Sequence, residues 1–138
     1  MNNCKAALKE AIKFHGHLGP YLVLGLLAGE AALKKLGCKK YFGSEVTVWG
    51  ANKRPKSCLI DGLQLSTGAT YGKGNIKKIN ARDIRIRVCD LENKKQVKIS
   101  LKKELSEQLA NLKGHSDSEA FAKLLFKSRP DSVFEFKL

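Results

Sequence analysis

The chain is poor in acid, with 13 Asp and Glu against 26 Lys and Arg, and it holds one tryptophan, one methionine and three prolines in 138 residues. It also lacks a long apolar run. The longest, Leu18 to Gly29, stops at Glu30 after about a dozen residues, well short of the roughly 20 that span a bilayer, so no transmembrane helix is expected. No basic flank, apolar core and small-residue cleavage site stand together at the start, so no signal peptide is expected and a cytoplasmic location is. The four cysteines, Cys4, Cys38, Cys58 and Cys89, show no CxxC spacing, which argues against both a zinc ribbon and a secreted disulfide framework. There is no low-complexity tract. With 43% apolar residues, residues 1–138 are expected to form one domain with its own core.

The charge of +13 raises the question of a phosphate-rich partner. Yet the lysines are scattered, at Lys34-Lys35, Lys39-Lys40, Lys77-Lys78, Lys94-Lys95 and Lys102-Lys103, mostly at expected element ends, as on a solvated surface. No nucleic-acid motif and no aromatic stacking platform accompanies them, so nucleic acid is a disfavoured partner.

Residues 3 to 14 repeat apolar side chains at helical spacing with lysines opposite. Pro20 opens a second helix that runs to Leu36 and is closed by Gly37, with Lys34 and Lys35 in its last turn. Gly25 and Gly29 lie inside it, where each costs up to about 1 kcal/mol against alanine, and they predict a close approach by another element, within the chain or across a dimer. Ser44 to Ala51 alternates as a strand. Ile84 to Leu101 reads as an antiparallel hairpin about a polar turn at Glu92 to Lys95. A helix through Leu105 and Leu109 follows, then one announced by a capping box, Ser116 with Glu119, and finally a strand with Phe134, Phe136 and Leu138 on one side. Strands and helices do not alternate as βαβ, so the expected fold is α+β, an antiparallel sheet packed against helices.

The polar groups that need explaining lie in two places. The first is His15-Gly16-His17, where a glycine turn can bring two imidazoles toward one cation. The second is the segment from Ser57 to Ile76. Cys58, Asp61 and Gln64 fall three residues apart on a helix whose other positions, Leu59, Ile60, Leu63 and Leu65, are apolar, so the polar groups are expected to line a site. Thr67-Gly68 ends that helix, and Gly72-Lys73-Gly74-Asn75 follows as a turn whose amides and lysine can hold an anion. His and Cys make a soft ligand set for zinc. The alternatives are a histidine that caps a helix and a Cys58 that simply packs as a small apolar side chain. Gly68 to Lys73 is one residue short of a Walker A loop and has Gly74 where that motif has Ser or Thr. No serine lies in a G-x-S-x-G elbow. His115, in a polar Gly-His-Ser turn, reads as a surface residue.

On FHGHLGP and CLIDGLQLSTGATYGKGN the sequence resembles the family of the E-type subunit of formylmethanofuran dehydrogenase, closely from the first helix through Ile76 and more loosely beyond. The resemblance implies an α+β domain, commonly a homodimer, with a divalent metal, usually zinc, held by the HGH segment and the cysteine. It points to His15, His17 and Cys58 as metal ligands, to Cys58, Asp61 and Lys73 as reactive groups, and to Gln64, Thr67, Gly72, Gly74 and Asn75 as positions that line the ligand site. Many members have a cysteine between the leucine and proline of HGHL-x-P, where this chain has Gly19. The implied function is a small metal-binding protein that receives an anionic or carbonyl-bearing molecule. The other reading is a non-catalytic accessory protein that docks a pterin-like cofactor or a larger redox enzyme complex.

Overall fold

The structure, a computed structural model, describes residues 2–138, with side chains from residue 5 onward. Cys4, expected on the buried face of the first helix, lies outside the described side chains. The elements run α1 (Asn2–His15), α2 (Pro20–Leu36), β1 (Ser44–Trp49), α3 (Cys58–Thr67), β2 (Ile76–Ile79), β3 (Arg85–Asp90), β4 (Gln96–Leu101), α4 (Lys103–Ala110), α5 (Gly114–Phe126), α6 (Pro130–Val133) and β5 (Phe134–Lys137). This is an α+β fold. The strands form one sheet in the order β2-β1-β3-β4-β5, and every pairing except β1 with β2 is antiparallel.

The parallel strand corrects the expectation of a wholly antiparallel sheet. Ile76-Lys77-Lys78-Ile79 sends its two isoleucines to opposite faces, so it carries no alternation that marks a strand. It becomes one because α3 carries the chain across the sheet and returns it alongside β1. The capping box is also corrected. Helix α5 starts at Gly114, whose φ of +76° lets the chain enter early, so Ser116 lies inside the helix. The carboxylate of Asp117 accepts instead from the Lys113 backbone amide at 3.2 Å.

One face of the sheet turns Val46, Val48, Ile86, Val88, Val97 and Ile99 into the core, where they meet α2 and α3. Helix α2 is the centre of that core. Leu22, Val23, Leu24, Ala28 and Ala32 on it are fully buried, as its apolar character on every side predicts. Gly37 closes it in the left-handed conformation (φ 64°), with Gly37 and Cys38 amides donating to the carbonyls of Lys34 and Leu33.

The two glycines of α2 find their partner within the chain. A Cβ on Gly25 would sit 2.2 Å from the Leu59 carbonyl oxygen, and one on Gly62 the same distance from that of Leu22, so α2 and α3 cross backbone against backbone. The hydroxyl of Ser66, which reaches both the Gly25 carbonyl at 3.0 Å and the Gly62 carbonyl at 2.8 Å, spans the crossing. Gly29 lies one turn along, against the same serine.

The outer face of the sheet is polar and basic. Strand register aligns Lys77, Thr47, Arg87, Lys98 and Lys137 in one row across all five strands. Beside this row the guanidinium carbons of Arg85 and Arg87 lie 5.7 and 5.5 Å from the Trp49 ring centroid. A groove of about 570 Å³ runs between them and β5. Both edge strands, β2 and β5, are four residues long and carry lysines.

Candidate functional site

Helix α1 ends at His15, and Gly16 (φ +107°) reverses the chain while its amide still donates to the Ile12 carbonyl at 2.7 Å. Few residues other than glycine adopt that φ. The turn stacks His17 on His15, with ring centroids 5.0 Å apart and planes at 26°, as the glycine predicts. His15 is nearly buried and His17 exposed. Pro20 then starts α2.

Helix α3 brings its N-terminal turn to the same place. The Asp61 carboxylate Oδ2 lies 2.5 Å from Nδ1 of His15, with the two side chains 34% and 10% exposed. An ionised carboxylate only accepts, so Nδ1 carries the proton and donates, and Nε2 of the neutral ring keeps its lone pair. Cys58 stands one turn before Asp61, half-buried and free. Burial pushes its thiol up from the ordinary range, the Asp61 carboxylate adds to the rise, and the Arg54 guanidinium opposes it. Among the described residues no three His, Cys, Asp or Glu side chains are already gathered at ligand positions. The donor set nonetheless suits a borderline-soft divalent ion. It offers two imidazoles and a thiol, and a carboxylate fixes the tautomer of one ring as second-sphere carboxylates do in zinc sites.

The remaining expected residues gather at the other end of α3. At 1.5 Å per residue the helix carries Thr67 about 14 Å from Cys58. Gln64 accepts from the Tyr71 amide at 3.1 Å. Thr67 is buried, donates to the Leu63 carbonyl and accepts from the Ala69 amide, which ends the helix. Asn75 accepts from the Thr70 amide and donates to the Tyr41 and Ser44 carbonyls. These three side chains hold the turn through Gly72 and Gly74 in shape. Lys73 is exposed, with its ammonium 3.3 Å from the Thr70 hydroxyl and 5.3 Å from the Phe42 ring centroid. Within one chain the structure thus brings His15, His17, Cys58 and Asp61 together and leaves Lys73 with its turn apart.

One neighbour carries no local signal in the sequence. His115, on the first turn of α5, meets His17 edge to face, with centroids 6.3 Å apart and planes at 83°. The two rings line a cleft of about 290 Å³ with Gly19, Pro20, Pro55 and Leu112. Only the tertiary packing of α5 on α2 places His115 there.

Among solved structures, the chain is similar to an FmdE-like protein of tungsten formylmethanofuran dehydrogenase from Syntrophus aciditrophicus. The TM-score is 0.72 at 20% identity, over 97% of this chain and 70% of that one. A probable S-adenosyl-L-methionine-binding protein from Archaeoglobus fulgidus is 33% identical over 73 residues, which is 50% of this chain but only 19% of that protein's length. Residues 14–133 match the family described as FmdE, molybdenum formylmethanofuran dehydrogenase operon, and that span holds the HGH turn, α3 and the whole core: the chain belongs to the FmdE family.

Proposed function

We propose that the protein binds one divalent transition metal, zinc in the first instance, at the junction of α1, α2 and α3, and there receives a small anionic or carbonyl-bearing molecule. The observation that carries this is the His15–Asp61 pair. A carboxylate on Nδ1 aims Nε2 of the ring away from it, which is the arrangement of a ligand imidazole. His15, His17 and Cys58 would hold the ion, and when bound it would supply Lewis acidity toward a carbonyl or phosphoryl oxygen. The residues of the chain do the rest. Asp61 retains the Nδ1 proton, Arg54 adds positive charge beside Cys58, and the cleft beside His17 admits the molecule.

Elemental analysis of protein purified without chelator tests this reading. The expected content is about one divalent metal per chain, lost in His17→Ala and Cys58→Ala. Trace metal that is the same in wild type and both variants overturns it.

A second reading, an accessory protein in the cytoplasm that docks a larger redox enzyme or a second copy of itself, rests on a different observation. Tyr41, Phe42 and Tyr71 are 55%, 76% and 52% exposed around the Gly-rich turn, an aromatic patch where a partner would bury area. Such docking would also bring the Lys73 turn of one copy toward other residues. Phe42→Ser should then lower the apparent mass in sedimentation without altering metal content.

A further inference from the structure

The chain has three histidines, and all three meet at one place, although His115 comes from a helix far along the sequence. Resting on the metal-binding reading above, we propose that His115 supplies a further nitrogen donor to that centre, so that the bound ion ties α5 to the turn between α1 and α2.

The geometry supports this in three ways. Two imidazoles that bind one ion tetrahedrally, each through a nitrogen about 2.0–2.1 Å from it, have centroids roughly 5 Å apart. His15 and His17 stand at 5.0 Å and His17 and His115 at 6.3 Å, so His115 is about 1 Å too distant. Its side chain is exposed at the start of a helix that opens on Gly114, and a rotamer change covers that difference. The perpendicular rings also leave the ring edge of one facing the other, which allows nitrogens to converge.

Room is the second point. His17 Nε2 faces Gly19, where even a Cβ would lie 3.4 Å from it, so no side chain at that position covers the nitrogen on that side. The cleft it borders is the one that His115 lines.

The third point is the outcome of leaving His115 out. His15, His17 and Cys58 alone would hold an ion by residues from α3 and one turn, whereas the cleft opens on the α5 side. A donor from α5 closes that side. It would also give a His-rich centre suited to zinc, copper or nickel more than to the hard cations that prefer oxygen.

Titration with Co²⁺, followed by visible absorption and equilibrium dialysis, tests the proposal on wild type, His115→Ala, His115→Cys and Cys58→Ala. All four are checked by circular dichroism for an unchanged melt in the absence of metal. His115→Ala should weaken Co²⁺ binding tenfold or more and alter the visible bands. His115→Cys should keep binding and show a stronger near-ultraviolet thiolate-to-metal band than wild type, because it adds a second thiolate. If both His115 variants match wild type in affinity and spectrum while Cys58→Ala loses binding, His115 is not a ligand and the metal reading stands without it. If wild type takes up no Co²⁺, the metal reading fails first and this proposal with it.

Discussion

Cys58 is subject to opposed influences whose signs can be separated one residue at a time. Burial and the Asp61 carboxylate hold its proton on, and the Arg54 guanidinium works against them. Alkylation of the metal-free protein, resolved by peptide mass, should therefore reach half its maximal rate above the pH of an ordinary thiol. Asp61→Asn should move that midpoint down and Arg54→Met should move it up. The same raised value has a stability consequence. Because the folded chain holds this proton more tightly than the unfolded chain, the contribution is present below the ordinary thiol range and is lost as pH climbs through the folded value. Metal uptake runs the other way. It needs the thiolate, so affinity should rise with pH and protons should be released on binding. Asp61→Asn should also cost about 10–100-fold in metal affinity, the usual effect of removing a carboxylate behind a ligand imidazole, measured by competition with a chromogenic chelator.

Helices α2 and α3 set where the site sits, and their crossing depends on atoms that are absent. Gly25→Ala and Gly62→Ala drive a methyl into backbone carbonyls that cannot move aside, so each should destabilise by at least the roughly 1–3 kcal/mol typical of overpacking. Gly29→Ala meets the Ser66 side chain, which can rotate, and should cost less. Urea unfolding of the three variants reads the order directly. Much of this is legible in the chain: Pro20 and Gly37 bound α2, the glycines inside it announce a close approach, and the alternation of Ile84, Ile86 and Val88 marks β3. Other features are not. Strand β2 has no alternation because an edge strand of four residues needs none. The start of α5 depends on a left-handed Gly114 that the serine ahead of a hydrophobic run does not reveal. At the site, the HGH turn and the Cys58 and Asp61 spacing point to groups that do converge, because each is fixed by local geometry. The place of His115 follows from the packing of whole helices, and the distance of Lys73 from Cys58 follows from the length of α3, which separates two ends that look adjacent in sequence.

At the scale of the whole molecule, one face of the sheet carries a row of like charge. Arg87, Lys98 and Lys137 stand directly opposite one another on three neighbouring strands, and like charges so placed repel. Raising the salt concentration should therefore raise the melting temperature, and Lys98→Glu should do so at low salt and lose its advantage at high salt, as differential scanning fluorimetry would show. Those lysines also bear on what the sheet does when many copies meet. Its two outer strands, β2 and β5, end the hydrogen-bonded ladder with free backbone groups, the template on which another chain can add a strand and from which fibrils grow. Both are short, and Lys77, Lys78 and Lys137 place cations along them, so a second copy that approached in register would set like charges side by side. The basic character that suggests a polyanionic partner thus serves as a solubility device, and polyphosphate, by neutralising it, should turn a clear concentrated solution into one that scatters light and binds thioflavin.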